Sequence, residues 1–171
     1  RIGLLDGDIR YGAIFNFGAL MNAAYEAGAE YVFLADQDDV WLPVKIRKEF
    51  AVMLRPEGCF GKHSPLLVHS DLTVVDGQLR TIHDSFMVYQ RLHHQGNDPL
   101  KTLLVNNFAT GCTMLVNRAL LEVALPLPQS AVMHDWWLAL CAAATGHVCY
   151  IQEPTVLYRQ HGRNQVGAKS F

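Results

Sequence analysis

Asp36, Asp38 and Asp39 fall within four positions at the end of the short apolar run Tyr31-Val32-Phe33-Leu34-Ala35, and Trp41 follows two residues later. Three like charges crowded together repel one another, a cost that a cation relieves. Carboxylates are hard oxygen donors, so the pattern points to a divalent site of the Mg²⁺ or Mn²⁺ type. The plainer alternative is a wet acidic turn, with Asp39 capping a helix that starts near Pro43. Trp41 suits either the core or a pocket wall. Far along the chain stands a second group, His134-Asp135-Trp136-Trp137, in which an acid opens an apolar helix. Asp135 is there either for the helix dipole or as a proton acceptor whose pKa apolar neighbours raise. Trp137 shares a stripe with Leu140 and Cys141 and reads as core, which leaves Trp136 as the pocket candidate.

The elements that must position these groups follow from periodicity. Residues 31–35 are too few for a helix and rich in β-branched and aromatic types, so they read as a buried strand. Its acids then sit at the carboxyl mouth, where open α/β sheets hold ligands. Before it, Phe17, Leu20, Met21 and Ala24 share one face of a helix capped by Asn16 and closed by Gly28. Pro43 suits the first turn of a second helix, in which Ile46, Phe50, Met53 and Leu54 line up, Lys45, Arg47 and Lys48 stay wet, and Pro56 and Gly58 bring the end. Residues 66–70 and 72–75 are strand material, with Asp76-Gly77 as a hairpin turn. From 81 to 98 no period is sustained, which predicts a loop with short helical pieces and solvated histidines at 83, 93 and 94. A short helix near Leu100, a strand over 112–116 and helices over 118–125 and 134–145 come next. Strands over 147–151 and 155–158 close the pattern. The alternation predicts an α/β domain with a mixed sheet flanked by helices.

A chain of 171 residues, half of them apolar, can bury one real core, so 1–171 reads as a single domain. The net charge of −2, from 14 basic and 16 acidic side chains, leaves no basic footprint and argues against nucleic acid as a partner. Cys59, Cys112, Cys141 and Cys149 form no C-x-x-C pair and read as free thiols of a reducing compartment. No apolar run approaches the roughly 20 residues of a membrane span. With no signal-peptide pattern either, the expectation is a cytoplasmic protein, with room for a peripheral contact at the inner face of the membrane.

Four segments together resemble one family. Phe33-Leu34-Ala35-Asp36-Gln37-Asp38-Asp39-Val40-Trp41-Leu42-Pro43 is similar to the acidic motif of glycosyltransferase family 2, especially its rhamnosyltransferase-like members. Asn106-Asn107-Phe108-Ala109-Thr110-Gly111-Cys112 resembles the family's Thr-Gly-Cys segment, His134-Asp135-Trp136-Trp137 its His-Asp-Trp-Trp segment, and Tyr158-Arg159-Gln160-His161-Gly162-Arg163-Asn164 its closing motif. The resemblance implies a GT-A-like, Rossmann-like fold. It also implies transfer of a sugar, a deoxysugar such as rhamnose, with inversion from a nucleotide diphosphate to a hydroxyl of a saccharide or lipid-linked saccharide in polysaccharide synthesis. By position, Asp36 would belong to the donor site, Asp38 or Asp39 would ligate Mg²⁺ or Mn²⁺, and Asp135 would be the general base. Gly111 would let the backbone approach donor or acceptor, with a plain turn as the alternative. Arg159 would hold phosphate oxygens and His161 would complete the metal shell, against a solvated tail. His134 would orient Asp135 or the acceptor, or simply lie in a loop, and Trp136 would stack on a sugar face. His69 and Asp71 around Ser70 resemble the family's His-Ser-Asp segment, with structural hydrogen bonding an equal explanation.

The family's usual opening strand and its Asp-Asp-Gly-Ser strand, which hold the nucleotide, have no counterpart in these 171 residues. The expectation is therefore either an N-terminally truncated piece or a short form with an incomplete nucleotide pocket, in both cases with an exposed sheet edge that favours self-association. A non-catalytic remnant that binds sugar or a partner is the alternative. A metal phosphohydrolase built on Asp-x-Asp fits less well, because the Ser or Thr such enzymes need does not follow.

Overall fold

A computed structural model describes residues 12–94 and 98–160. The elements are helix α1 (Gly12–Glu26), strands β1 (Tyr31–Phe33) and β2 (Val40–Trp41), helix α2 (Lys45–Phe60), strands β3 (Leu66–Val75) and β4 (Thr81–His83), and short helices α3 (Phe86–Tyr89) and α4 (Pro99–Leu103). A 3-10 turn over Gly111–Thr113, strand β5 (Leu115–Asn117), helices α5 (Arg118–Ala124) and α6 (His134–Thr145), and strand β6 (His147–Arg159) complete them. The sheet runs β1-β5-β3-β6-β2, with β4 beside the far end of β3. β5 is antiparallel to both β1 and β3, while β6 is parallel to β3. Strands β1, β3 and β6 thus point the same way, and their carboxyl ends gather on one side. This is the mixed α/β sheet that the alternation predicts.

β3 explains the layering. Its side chains alternate: Leu67 joins Met21, Leu120, Leu138 and Ala142 on the face covered by α1, α5 and α6. Leu66 and Val68 join Met53 and Leu115 on the face covered by α2. Burial on both faces is why this strand reads as a nearly continuous apolar run. A third cluster, Leu72, Val74, Cys112 and Val156, continues the core toward the end of the sheet where the acids lie. No helix among the described residues is long and apolar enough to cross a membrane.

Several expectations change. α1 begins at Gly12, not at Asn16. Residues 66–75 form one strand and 147–159 another, each longer than the two pieces expected, because the Ser70 and Thr155 hydroxyls bond one another at 2.6 Å across the β3–β6 ladder. The hairpin after β3 closes on β4 through the Asp76–Arg80 turn. α2 runs through Pro56 to Phe60, and its buried stripe is Lys45, Glu49, Met53 and Glu57, whereas Ile46 and Leu54 are exposed. Of the residues read as wet, Arg47 is exposed and Lys48 partly so, but Lys45 is inside because it is paired: its Nζ donates to Glu49 at 2.6 Å, and further along the stripe Glu57 accepts from the Tyr31 hydroxyl at 2.6 Å. His94 is half-buried instead of solvated, with its Nδ1 3.4 Å from Nε2 of the fully buried His69. Asp71 accepts from Leu72 N–H, Met87 N–H and the Ser85 hydroxyl, so hydrogen bonding within the fold accounts for it.

Candidate active site

The acidic segment is an arch pinned at both ends. At its start, Leu34 N–H donates to the Met114 carbonyl at 3.1 Å, and just beyond its end Leu42 N–H donates to Thr155 at 2.9 Å. At its foot, Asp39 Oδ1 accepts the Arg159 N–H at 3.0 Å, and the Cys112 thiol donates to the same carboxylate. The other oxygen, Oδ2, is buried and has no hydrogen-bond partner. Asp36, Asp39 and Cys112 each bring a potential ligand atom to within 4.8 Å of one another. Burial, against the pull of the Arg159 N–H and the thiol, pushes Asp39 up to about 6. Burial and then Asp38 raise Asp36 as well. The fully buried Cys112 thiol is held well above its ordinary range by burial and by the acids, so it stays a protonated donor.

Opposite the arch stands the amino end of α6. Asp135 is 8 % exposed, and its Oδ2 accepts the Gly111 N–H at 3.0 Å while Oδ1 accepts the Trp136 N–H at 2.6 Å. Burial outweighs these bonds and raises the carboxyl to about 6, with Asp36 adding repulsion. A Cβ on Gly111 would stand 2.9 Å from His134 Nε2 and 3.4 Å from Asp135 Cβ. A glycine is what lets the backbone donor come this close. The His134 ring stacks on Phe17 of α1, centroids 3.9 Å apart and 12° from parallel. It is 4 % exposed, neither nitrogen has a hydrogen-bond partner, and burial lowers it to about 4, so it is neutral at physiological pH. Trp136 is half-buried and anchored by its Nε1–H to the Leu103 carbonyl at 2.6 Å; Trp137 packs with the core and donates to Ala124 at 2.9 Å.

Between arch and helix opens a cleft of about 1110 Å³. That equals or exceeds the few hundred to about 1,000 Å³ typical of sites for drug-sized ligands. Asp36, Asp38, Gly111, His134, Asp135 and Trp136 all line it, so six of the nine residues singled out in the sequence meet on one wall system. Asp39 lies at the foot of the arch. Arg159 brings its backbone N–H to Asp39 and reaches the Gly77 carbonyl with Nη1 at 3.3 Å. His161 lies outside the described residues. The charged side chains among the described lining residues are carboxylates, with no Lys or Arg beside them. Residue types alone did not single out Cys112, which reaches the acids only through the fold; its place in the Thr-Gly-Cys segment was the available signal. A smaller pocket of about 210 Å³ near Tyr31 and Arg118 has its chemistry paired internally, through the Tyr31–Glu57 and Asn117–Glu57 hydrogen bonds and Arg118 on the Tyr25 ring.

No protein-family model matches the chain. It is similar to the dTDP-rhamnosyl transferase RfbG of Shigella flexneri, with 28% identity over 168 residues, covering 92% of this chain and 52% of that protein. The chain therefore spans about half the length of the curated relative it matches.

Proposed function

We propose that the cleft transfers a sugar, a rhamnosyl group from a dTDP donor, to a hydroxyl of a saccharide acceptor, with inversion, in the manner of glycosyltransferase family 2. The observation that carries this reading is the pairing across one cleft of an acidic arch with a buried, backbone-held carboxylate raised to about 6. The similarity to a rhamnosyltransferase supports the donor class.

In the proposed reaction Asp135 accepts the proton of the acceptor hydroxyl. A carboxylate with a pKa near 6 is ionised at neutral pH yet is a better base than an ordinary aspartate. Each Asp135 oxygen spends one lone pair on a backbone N–H, which fixes the carboxylate plane and leaves a second lone pair for the incoming proton. As the acceptor oxygen bonds to the anomeric carbon, the bond to the diphosphate breaks on the opposite face and its electron pair leaves with the phosphate oxygen. With no basic side chain among the described lining residues, a diphosphate placed against Asp36 and Asp38 would be repelled unless a cation lay between them. The hard carboxylates of the arch and the unpartnered Asp39 Oδ2 fit Mg²⁺ or Mn²⁺, held by Asp38 or Asp39 with Asp36 facing the donor. Such an ion would supply charge neutralisation for the departing diphosphate.

The test is an initial-rate assay over a panel of nucleotide sugars that includes dTDP-rhamnose, with Mn²⁺, Mg²⁺ or chelator. Metal-dependent transfer or donor hydrolysis that is lost in Asp135→Asn supports the reading. No turnover with any donor, or an Asp135→Asn variant as active as wild type, overturns it.

A further inference from the structure

Both walls of the cleft lean on the stretch from Thr110 to Met114. The 3-10 turn Gly111–Thr113 is closed by Thr113 N–H on the Thr110 carbonyl at 3.0 Å, by Met114 N–H on Gly111 at 2.9 Å and by the Thr113 hydroxyl on Thr110 at 2.7 Å. Three contacts lead away from it. Gly111 N–H holds Asp135 Oδ2 at 3.0 Å, and the Met114 carbonyl takes the Leu34 N–H at the start of the arch. Between them the Cys112 thiol lies with Asp36 and Asp39, their potential ligand atoms within 4.8 Å of one another, and donates to the Asp39 carboxylate. Cys112 is 1 % exposed and packs with Leu72, Val74 and Val156, so close packing fixes where its sulfur stands. No step of the proposed transfer uses this thiol.

Resting on the transferase reading, we propose that Cys112 is a positioning residue: its thiol, together with the Arg159 N–H, fixes the Asp39 carboxylate so that Oδ2 is the oxygen presented to a divalent cation. The Arg159 N–H occupies Oδ1 at 3.0 Å, and Oδ2 is buried without a hydrogen-bond partner. The last torsion of an aspartate side chain is broad, so one hydrogen bond leaves the carboxylate plane loose and a second from another element sets it. A thiol suits the task because it is a weak, uncharged donor. A lysine or arginine in its place would neutralise the carboxylate and compete with the cation. Gly111 stands beside Cys112 on the same turn and aims Asp135, so one short piece of backbone sets the cation's ligand and the base against each other.

The experiment titrates Mn²⁺ into the full chain, with and without dTDP, and reads free Mn²⁺ by electron paramagnetic resonance. Cys112→Ala and Cys112→Ser lose the same sulfur packing and differ by one hydroxyl donor. Loss of a group that orients a metal ligand costs roughly 10–100-fold in affinity, so Cys112→Ala is expected to weaken Mn²⁺ binding at least about tenfold and Cys112→Ser less than about threefold. Cys112→Val fills the sulfur's volume with no proton to donate and should weaken binding as Cys112→Ala does, which separates the hydrogen bond from packing. The Ser and Val variants give the same comparison where Cys112→Ala does not fold. Wild-type affinity in Cys112→Ala or Cys112→Val, or a Cys112→Ser chain as weak as they are, overturns the proposal and leaves the transferase reading intact. A wild-type chain that binds no Mn²⁺ under either condition overturns the metal-dependent reading and this role with it.

Discussion

Two regions of this molecule bury charge, and they treat it in opposite ways. Along α2, Lys45 and Glu49 are fully buried and form an ion pair at 2.6 Å. Lys45 also sits over the Trp41 and Phe33 rings, 5.0 and 5.8 Å from their centroids, while Glu49 takes a further bond from Thr155 at 2.9 Å. Burial pulls the lysine down and pushes the glutamate up, and each partner opposes the shift of the other. Across the cleft, Asp36, Asp39 and Asp135 are raised by burial with no cation from the described lining residues to offset them. His134 beside them has no hydrogen-bond partner. Charge neutralised within the chain serves the fold. Like charge left facing like charge stabilises nothing by itself, and its natural explanation is a ligand that carries the missing positive charge.

The largest expected effect falls on the paired region. Lys45→Met strands the Glu49 carboxylate and is expected to cost about 3–5 kcal/mol in urea unfolding. The double variant Lys45→Met/Glu49→Leu should regain most of that loss. A single variant that unfolds like wild type would erase the contrast between the two regions.

In the cleft, Asp135→Asn should act on rate instead of stability. Transfer is expected to fall by about 10²–10⁴-fold, the usual worth of a general base. The melting temperature should hold or rise, since a raised carboxyl is relieved. A melting temperature that drops as far as that of Lys45→Met would place Asp135 with the structural charges.

The pH dependence sharpens the same point. The folded-state pKa of Asp135, about 6, lies above its ordinary value of 3.8, so the folded protein holds the proton more tightly than the unfolded chain. Its stabilising contribution is therefore present below about pH 4 and is lost as pH rises through 6, by about 3 kcal/mol at 1.36 kcal/mol per unit. Activity should rise over the same window as the base ionises. The buried histidines His69 and His134, lowered to about 3 and about 4, act in the other direction, since their neutral folded forms lose stability as pH falls. The difference in unfolding free energy between wild type and Asp135→Asn isolates the aspartate. A difference independent of pH between 4 and 7 would contradict the raised pKa.

Gly111→Ala should lower stability by about 1–3 kcal/mol, less than Lys45→Met, because the new methyl strikes His134 Nε2 and crowds Asp135. Its transfer rate should suffer more than its stability implies, since the Gly111 N–H aims the Asp135 carboxylate. Rates and melts run in parallel separate the two effects.

Much of the site could be read from local sequence because its parts are local. α6 occupies 134–145 as its apolar period and closing glycine predict, and the acids do follow β1. What could not be read rests on pairs distant in sequence. Lys45 and Glu49 carry the pattern of a wet helix face, and only Trp41, Phe33 and Thr155 closing over them make the face a core. The polar run His69-Ser70-Asp71 interrupts an apolar strand in sequence, yet Thr155 and Ser85 satisfy Ser70 and Asp71 inside it. Cys112 becomes a neighbour of the acids only because β5 pairs with β1.

The acidic arch, three crowded carboxylates in the sequence, stands in the fold as one wall of a cleft whose other wall carries the buried Asp135 carboxylate. Calorimetric titration of the chain with dTDP, with Mn²⁺ and with chelator in its place, tests that account most directly. The account predicts binding with Mn²⁺ that disappears under chelator and is weakened at least tenfold in Asp38→Asn. Binding of equal strength under both conditions, or none under either, would contradict it.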